Sequence, residues 1–186
     1  MINANEIIEN GELILERLQQ LIPLKANESK VDMVRVACHS EIIEKVLPAF
    51  DFLNKNGYIS ACNITQISDK TNDKLIELSS LLNGSKVDII YFADSLGSAS
   101  PSSIQEIVKA LKSNWSGQLG IHAHDNRGLA LSNTLKAKTP KNQLQYYFTL
   151  IIFKIFWGFF SLEGWPLYLV KVRLPVPKLR HSFLCL

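Results

Sequence analysis

The chain has few cysteines, and its first residues show no signal-peptide pattern. Its three cysteines are Cys38, Cys62 and Cys185, and their spacing matches neither a disulfide framework nor a metal-binding cysteine motif. An odd number of cysteines without a framework is typical of proteins in a reducing cytoplasm. The N-terminus also lacks the basic and then apolar pattern of a signal peptide. We therefore predict a cytoplasmic location, with Cys38 and Cys62 as inert core residues.

The chain also has little excess charge, but its acidic residues are unevenly distributed. The formal net charge is only +3, which gives no reason to expect a nucleic-acid partner. Residues 1–137 hold 13 Lys and Arg against 16 Asp and Glu, whereas residues 138–186 hold 7 Lys and Arg and one acid, Glu163. We therefore treat residues 1–137 as one domain and residues 138–186 as a separate basic, aromatic tail.

A pattern of a short apolar segment followed by a helical segment occurs four times within residues 1–137. The apolar segments are "VDMVRVACH" from Val31, "GYISACNITQ" from Gly57, "KVDIIYFAD" from Lys86 and "GQLGIHAHD" from Gly117. Strands that alternate with helices in this way form βα units with a parallel sheet. Two architectures fit, a (β/α)₈ barrel and an open doubly wound sheet, and in both the chemistry gathers at the carboxyl ends of the strands.

Polar and titratable residues occupy all four predicted strand ends. They are His39, the segment 63–66, Asp94 with Ser95, and the segment 122–126. This clustering is the first functional signal, and it depends only on the pattern of the chain.

The segment "GIHAHDN" places two histidines two residues apart on a predicted strand. Side chains at positions i and i+2 of a strand point to the same face, so His122 and His124 project together and Ala123 and Asp125 project the other way. Two imidazoles at a rigid strand end can form half of a metal site, and carboxylate or water ligands would shift its preference towards harder ions. The alternative is that one or both are core histidines with hydrogen-bond partners.

The other strand-end residues each have a functional and a structural interpretation. His39 could transfer a proton or orient a substrate, or it could be a packed strand-end histidine. Asp94 and Ser95 could act on a substrate, or they could only cap a turn. Asn126 and Arg127 lie where a helix N-terminus would meet an anionic ligand, or they could begin a solvated helix.

Three motifs in this order and spacing resemble the TIM-barrel metal-dependent lyases. The motifs are "VRVACH", "IIYFADSLGSASP" and "GIHAHDNRGLALSN", and the resemblance covers roughly residues 25–137. That family includes 4-hydroxy-2-oxovalerate aldolase, hydroxymethylglutaryl-CoA lyase, and the isopropylmalate and homocitrate synthases, with the aldolase the most similar. The resemblance implies a partial (β/α)₈ barrel in which the four predicted strands are strands three to six.

The resemblance also implies a reaction and a cofactor. It implies cleavage of a C–C bond in a 4-hydroxy-2-oxo acid to give pyruvate or a similar 2-oxo acid plus an aldehyde. His122 and His124 would ligate a divalent cation, Mn²⁺ first, with Mg²⁺, Co²⁺ or Zn²⁺ as alternatives. His39 and Asp94 are the predicted catalytic residues. The predicted substrate-binding residues are Asn63, Gln66, Ser95 and Asn126.

One part of the family pattern has no counterpart in the chain. The first barrel strand of the family supplies an Asp metal ligand beside an Arg, whereas here Arg17 has no neighbouring Asp and no strand leading to it. The pattern also stops at Ala137. We therefore expect a fragment with a weak metal site and little activity of its own.

The tail and the partners leave several interpretations open. The apolar segment from Leu144 to Leu162 could associate with a membrane, or residues 138–186 could be a frameshifted translation unrelated to the domain. The alternatives to the aldolase are a synthase that condenses an acyl-CoA with a keto acid, and an inactive fragment with a membrane-associating tail. A homo-oligomer or a dehydrogenase partner also remains open.

Overall fold

The computed structural model describes residues 1–137, and these form a parallel sheet covered by helices. The strands of the main sheet are β1 (Ile2–Asn3), β4 (Met33–Cys38), β5 (Ile59–Ile64), β6 (Ile89–Asp94) and β7 (Gln118–Ala123). They pair in the order β1-β4-β5-β6-β7, and every pair is parallel. A separate antiparallel hairpin joins β2 (Ile8–Glu9) to β3 (Glu12–Leu13). The tail, residues 138–186, lies outside the described residues, and so do its two interpretations as a membrane-associating segment and as a frameshifted translation.

A helix follows each of the four long strands. The helices of the described part are α1 (Ala4–Ile7), α2 (Leu15–Leu21), α3 (Ile43–Lys55), α4 (Asn72–Asn83), α5 (Pro101–Lys112) and α6 (Ala130–Ala137). Side-chain caps define two of the starts, because Thr71 accepts from the amide of Lys74 and Ser100 accepts from the amide of Ser103. Within residues 1–137 the helices are too short or too polar to cross a lipid bilayer.

The strand order decides between the two architectures that the sequence left open. Strands β4 to β7 are neighbours in the sheet in the same order as in the chain. A doubly wound sheet reverses its order at a switch point, whereas a barrel adds strands in sequence. The described part is therefore a portion of a (β/α)₈ barrel, and the predicted βα units are confirmed.

The alternation of side chains along the strands separates two faces of the sheet. One face packs against the helices and forms the main core, which includes Cys38, Cys62, Ile90, Phe92 and Ile121. The opposite face, which we call the inner face, carries a second apolar cluster of Ala61, Ile89 and Tyr91. Cys38 and Cys62 are buried on the helix side with their sulfur atoms 3.7 Å apart, as the core interpretation predicted.

The N-terminal segment contains a sheet strand that the sequence did not indicate. Strand β1 is only two residues long, and it pairs with Val36 and Ala37 of β4. Its end is defined by a capping box, in which Asn3 accepts from the amide of Asn5 and donates its own amide to Glu6. Arg17 lies in helix α2 and pairs with Glu9 at 2.9 Å, so it is not at the end of a barrel strand.

Candidate active site

The inner face gathers polar side chains towards the carboxyl ends of the strands. Alternation places Asn63 of β5 and His122 of β7 on this face, and His39, Ser95 and His124 continue the same alternation just past their strands. The strand-end prediction therefore describes one shared surface. Asp94 points to the opposite, helix-covered face and is not part of that surface.

His122 and His124 lie side by side, as their spacing predicted. Their ring centroids are 5.0 Å apart and the ring planes are inclined by 29°. Burial lowers the pKa of His122 to about 4, with further contributions from His124 and from the Arg35 guanidinium. Burial also lowers the pKa of His124, although the nearby Asp94 carboxylate opposes this shift. Both rings are therefore neutral at pH 7, and neutral imidazole is the form that binds metal ions.

The pair would supply only two of the ligands that a metal site needs. Within residues 1–137, no group of three or more His, Cys, Asp or Glu side chains converges on one point. Catalytic metal sites commonly use three protein ligands. The neutral, adjacent rings fit the role of two of these ligands.

His39 is exposed and bonded to Thr65, a residue whose role the sequence did not indicate. The Thr65 hydroxyl donates to the carbonyl of Cys38 at 3.2 Å and lies 3.1 Å from Nδ1 of His39. When the hydroxyl gives its single proton to the carbonyl, Nδ1 of His39 is the donor to Thr65. Nε2 then carries the lone pair, which is the arrangement a general base requires.

The buried Asp94 carboxylate is bonded to its own loop and to a neighbouring one. It accepts from the amide of Ser98 at 3.1 Å, from the amide of Ala99 at 3.2 Å and from the hydroxyl of Ser68 at 2.7 Å. These bonds shape the loop between β6 and α5. The contacts match the turn-capping interpretation, and the catalytic role of Asp94 stays a prediction.

The predicted substrate-binding residues of β5 and β6 lie close together. The hydroxyl of Ser95 accepts from the amide of Gln66 at 2.9 Å, and Gln66 has a left-handed backbone with φ of 53°. Asn63 is 2% exposed, and its Oδ1 has no hydrogen-bond partner within the described residues. A buried amide oxygen without a donor is costly unless a ligand supplies one.

The predicted ligand contact Asn126 joins two loops. Its side-chain amide donates to the carbonyl of Leu96 at 3.0 Å, and Arg127 donates to the carbonyl of Ser98 at the same distance. The buried Asn133 of α6 adds a third bond to this loop, to the carbonyl of Ala99 at 3.0 Å. These bonds hold the loop after β6 against the loop after β7, and thus fix Ser95 relative to His124.

Two further inner-face residues, Arg35 and Tyr91, were not singled out from the sequence. The Arg35 guanidinium lies 4.9 Å from the centre of the Tyr91 ring, a cation–π distance. The motif "VRVACH" contained the signal, because alternation places Arg35 on the same face as His39.

One cleft of the described part lies away from these residues. It measures about 320 Å³ and is bounded mainly by the start of α5 and the segment before α4, including Lys70, Ser98 and Ser103. A smaller cavity of about 50 Å³ adjoins His39 and Thr65. We favour the inner face as the candidate site because its polar groups converge, whereas Lys70 is already paired with Glu41 at 2.7 Å.

Comparison with protein families agrees with the motifs and the strand order. A family model described as HMGL-like matches residues 26–139. The chain belongs to the HMGL-like family. The match includes the four long strands and all the predicted site residues of this HMGL-like domain.

Two curated relatives show the range of activities among similar proteins. A 4-hydroxy-2-oxovalerate aldolase of Geobacillus thermodenitrificans is 32% identical over 109 residues, which are 58% of this chain and 31% of the aldolase. A protein of Archaeoglobus fulgidus described as an (R)-citramalate synthase is 35% identical over 94 residues, which are 50% of this chain and 19% of that protein. The HMGL-like chain thus spans a third or less of the length of these relatives.

Solved structures share the fold at low sequence identity. The HMG-CoA lyase of Brucella melitensis superimposes with a TM-score of 0.57 at 16% identity, over 68% of this chain and 51% of the lyase. The carboxyl transferase domain of Rhizobium etli pyruvate carboxylase gives 0.58 at 18% identity, over 72% and 23% of the two chains. These likenesses support the barrel fold of the HMGL-like domain.

Proposed function

We propose that residues 1–137 carry the central part of a divalent-metal-dependent aldolase. Its substrate would be a 4-hydroxy-2-oxo acid, which it would cleave to pyruvate or a similar 2-oxo acid and an aldehyde. The observation that carries the proposal is the pair of neutral imidazoles, His122 and His124, at a strand end on the inner face of the barrel. The similarity to several 4-hydroxy-2-oxovalerate aldolases supports this choice of reaction.

The proposed chemistry assigns a task to each of the three histidines of the inner face. His122 and His124 would hold a divalent cation, with Mn²⁺ as the first choice. Such a cation, when bound, supplies Lewis-acid stabilisation of the negative charge that develops on the 2-oxo acid. His39 would take the proton of the 4-hydroxyl through Nε2 while the C3–C4 bond breaks and its electron pair passes to C3. A proton returned to C3 completes the 2-oxo acid product, and the oxidised C4 leaves as the aldehyde carbon.

Metal-dependent thermal stability tests the metal site. Mn²⁺ should raise the melting temperature of the chain, because binding to the folded state alone stabilises it. The double variant His122→Ala, His124→Ala should lose this rise. The variant His39→Ala serves as the control and should keep it. A metal effect that persists in the double variant would refute the assignment of the ligands.

Pyruvate release with added Mn²⁺ tests the reaction itself. The folded, metal-loaded chain should release pyruvate from 4-hydroxy-2-oxovalerate, and His39→Ala should slow this release about a hundredfold or more. A folded, metal-loaded sample without turnover would show that this chain is not an aldolase on its own. That outcome would favour the interpretation of the chain as an inactive fragment. In that interpretation residues 1–137 are the barrel portion and residues 138–186 are the tail.

The second candidate is a synthase that condenses an acyl-CoA with a 2-oxo acid. The match to the protein described as a citramalate synthase favours it, at 35% identity. Thiol release from acetyl-CoA in the presence of pyruvate would identify this activity. Inhibition of aldol cleavage by acetyl-CoA without thiol release would leave the aldolase as the better proposal. Three further proposals concern partners of the chain. They are homo-oligomerisation, association with a dehydrogenase and contact of the tail with a membrane.

A further inference from the structure

A buried cation on the inner face has no anionic partner in the described part of the chain. Arg35 is 7% exposed, and its Nη1 atom is buried without a hydrogen-bond acceptor among residues 1–137. The ion pairs of that part are Arg17 with Glu9, Lys70 with Glu41 and Lys74 with Glu77. A buried charge is costly unless an opposite charge and hydrogen bonds compensate it.

The neighbouring strand positions do not supply that charge. By alternation, the inner-face residues of β4 to β7 are apolar or neutral except for Arg35 itself, and none is Asp or Glu. They are Met33, Ala37, Ile59, Ala61, Asn63, Ile89, Tyr91, Ala93, Gln118, Gly120 and His122. An anion that enters the inner face would therefore meet one cation and no carboxylate of these strands.

The register of the sheet explains where the guanidinium lies. Arg35 is on β4 and Tyr91 is on β6, so their contact crosses β5. The β5 residue opposite Arg35 is Ala61, whose small side chain leaves room for this crossing. Asn63, two residues further along β5, is paired in register with Tyr91. The buried donor of Arg35 and the unsatisfied Oδ1 of Asn63 are thus brought to the same region of the inner face.

We propose that Arg35 binds the carboxylate of the 2-oxo acid substrate, with Asn63 accepting a hydrogen bond from a hydroxyl of the same molecule. A planar guanidinium matches a carboxylate by two parallel hydrogen bonds, and stacking on Tyr91 orients its plane. The inference rests on the proposed aldolase function, since it identifies the cation that recognises that substrate. It also gives a reason for the burial of Arg35 beside the neutral side chain of Tyr91.

Pyruvate and its neutral methyl ester are the probes that test this site. Ligand-observed NMR on the full chain, with and without Mn²⁺, would give the affinity of each. Arg35→Met should weaken pyruvate binding at least tenfold and leave the weaker binding of the ester unchanged. Arg35→Lys should give an intermediate loss, because it keeps the charge without the planar fork. Arg17→Met, which removes a surface arginine, is the matched control and should bind pyruvate like the original chain.

The outcomes separate this inference from the proposed function. Equal pyruvate affinity in the original chain and Arg35→Met, or equal affinity of the original chain for pyruvate and the ester, would overturn the carboxylate site. If Arg35→Met does not fold, Arg35→Lys and the ester comparison decide the question. Pyruvate binding that depends on Arg35 without any Mn²⁺ stabilisation would support the site while the metal assignment fails. Mn²⁺ stabilisation that depends on His122 and His124, with pyruvate indifferent to Arg35, would overturn the site alone.

Discussion

His39 and His122 lie in different surroundings. His39 is exposed, and the Thr65 hydroxyl fixes which of its nitrogens carries the proton. His122 is buried between apolar strand neighbours and close to other basic groups, so burial holds it neutral. In the proposed function the same type of side chain would act as a base at one strand end and as a metal ligand at another.

Replacement of Thr65 by Val should impair catalysis by releasing His39 from its orientation. The hydroxyl is lost but the shape is retained, so we expect kcat to fall by about tenfold to a hundredfold, part of the usual contribution of a general base. Thr65→Ser keeps the hydroxyl and should retain most of the activity. Steady-state kinetics of pyruvate release would measure this difference. A Thr65→Val enzyme with unchanged kcat would contradict the role of His39 as the base.

His122 should make the metal-free chain less stable as the pH falls. Its pKa is about 4 in the folded chain, against 6.5 for an ordinary histidine. Between about pH 6.5 and 4, His122 is therefore protonated in the unfolded chain and neutral in the folded chain. The free energy of unfolding consequently falls as the pH drops through this range. The full effect is up to about 3 kcal/mol.

Urea unfolding with a chelator present, repeated between pH 7.5 and 4, would measure this effect. His122→Asn should flatten the curve in that range, relative to the original chain. Glu41, whose pKa is lowered to about 2 mainly by its bond to Lys70, loses its contribution progressively below about pH 5, so the change between pH 7.5 and about 5 reports on His122. An identical pH dependence in both chains would contradict the burial of a neutral His122.

At the scale of elements, the packing of β6 against β7 depends on one glycine. Gly120 pairs in register with Tyr91, and the Tyr91 ring occupies the space that a side chain at position 120 would need. The Tyr91 ring therefore lies next to Gly120, and Arg35 lies 4.9 Å from the centre of the ring. A small residue in one strand thus sets the position of a charged group that comes from another.

Gly120→Ala should therefore destabilise the chain and disturb the Arg35 site. Overpacking of this kind costs about 1–3 kcal/mol, measurable by urea unfolding. Gly84→Ala is the control, since a side chain there would lie 3.6 Å from its nearest neighbour. It should change stability by about 0.5 kcal/mol or less. A Gly120→Ala chain as stable as the control would show that Tyr91 can move freely.

At the scale of the whole molecule, the described part should open unevenly. Strands β5 and β6 lie in the middle of the sheet and are bonded on both sides, whereas the hairpin of β2 and β3 is short and contains no fully buried residue. Amide protection follows burial and local bonding. Hydrogen exchange should therefore be slowest in β5 and β6 and fastest in Ile8–Leu13. Equal protection of the hairpin and the central strands would mean that the two open together.

The residues that match the HMGL-like family include the four long strands of the central sheet and exclude the hairpin. The HMGL-like match begins at residue 26, after the hairpin and α2, and covers the sheet from β4 onwards. The candidate site also lies entirely within that match. The candidate site and the most regular part of the fold thus lie in the same residues, 26–137.

The local order of residues was enough to predict the four βα units, the burial of Cys38 and Cys62 and the shared face of His122 and His124. Each follows from a period of two or of 3.6 residues, which neighbouring residues determine among themselves. Strand β1 was missed because two residues carry no period, and its pairing with β4 joins segments more than thirty residues apart.

Contacts between strands were decided only by the tertiary structure. The bond of Asp94 to Ser68, the bond between Thr65 and His39, and the stacking of Arg35 on Tyr91 all join residues from different strands or loops. Such contacts depend on strand register, and a shift by one residue would turn each side chain to the other face. The sequence alone determined which residues could share the inner face, and the folded sheet determined which of them meet.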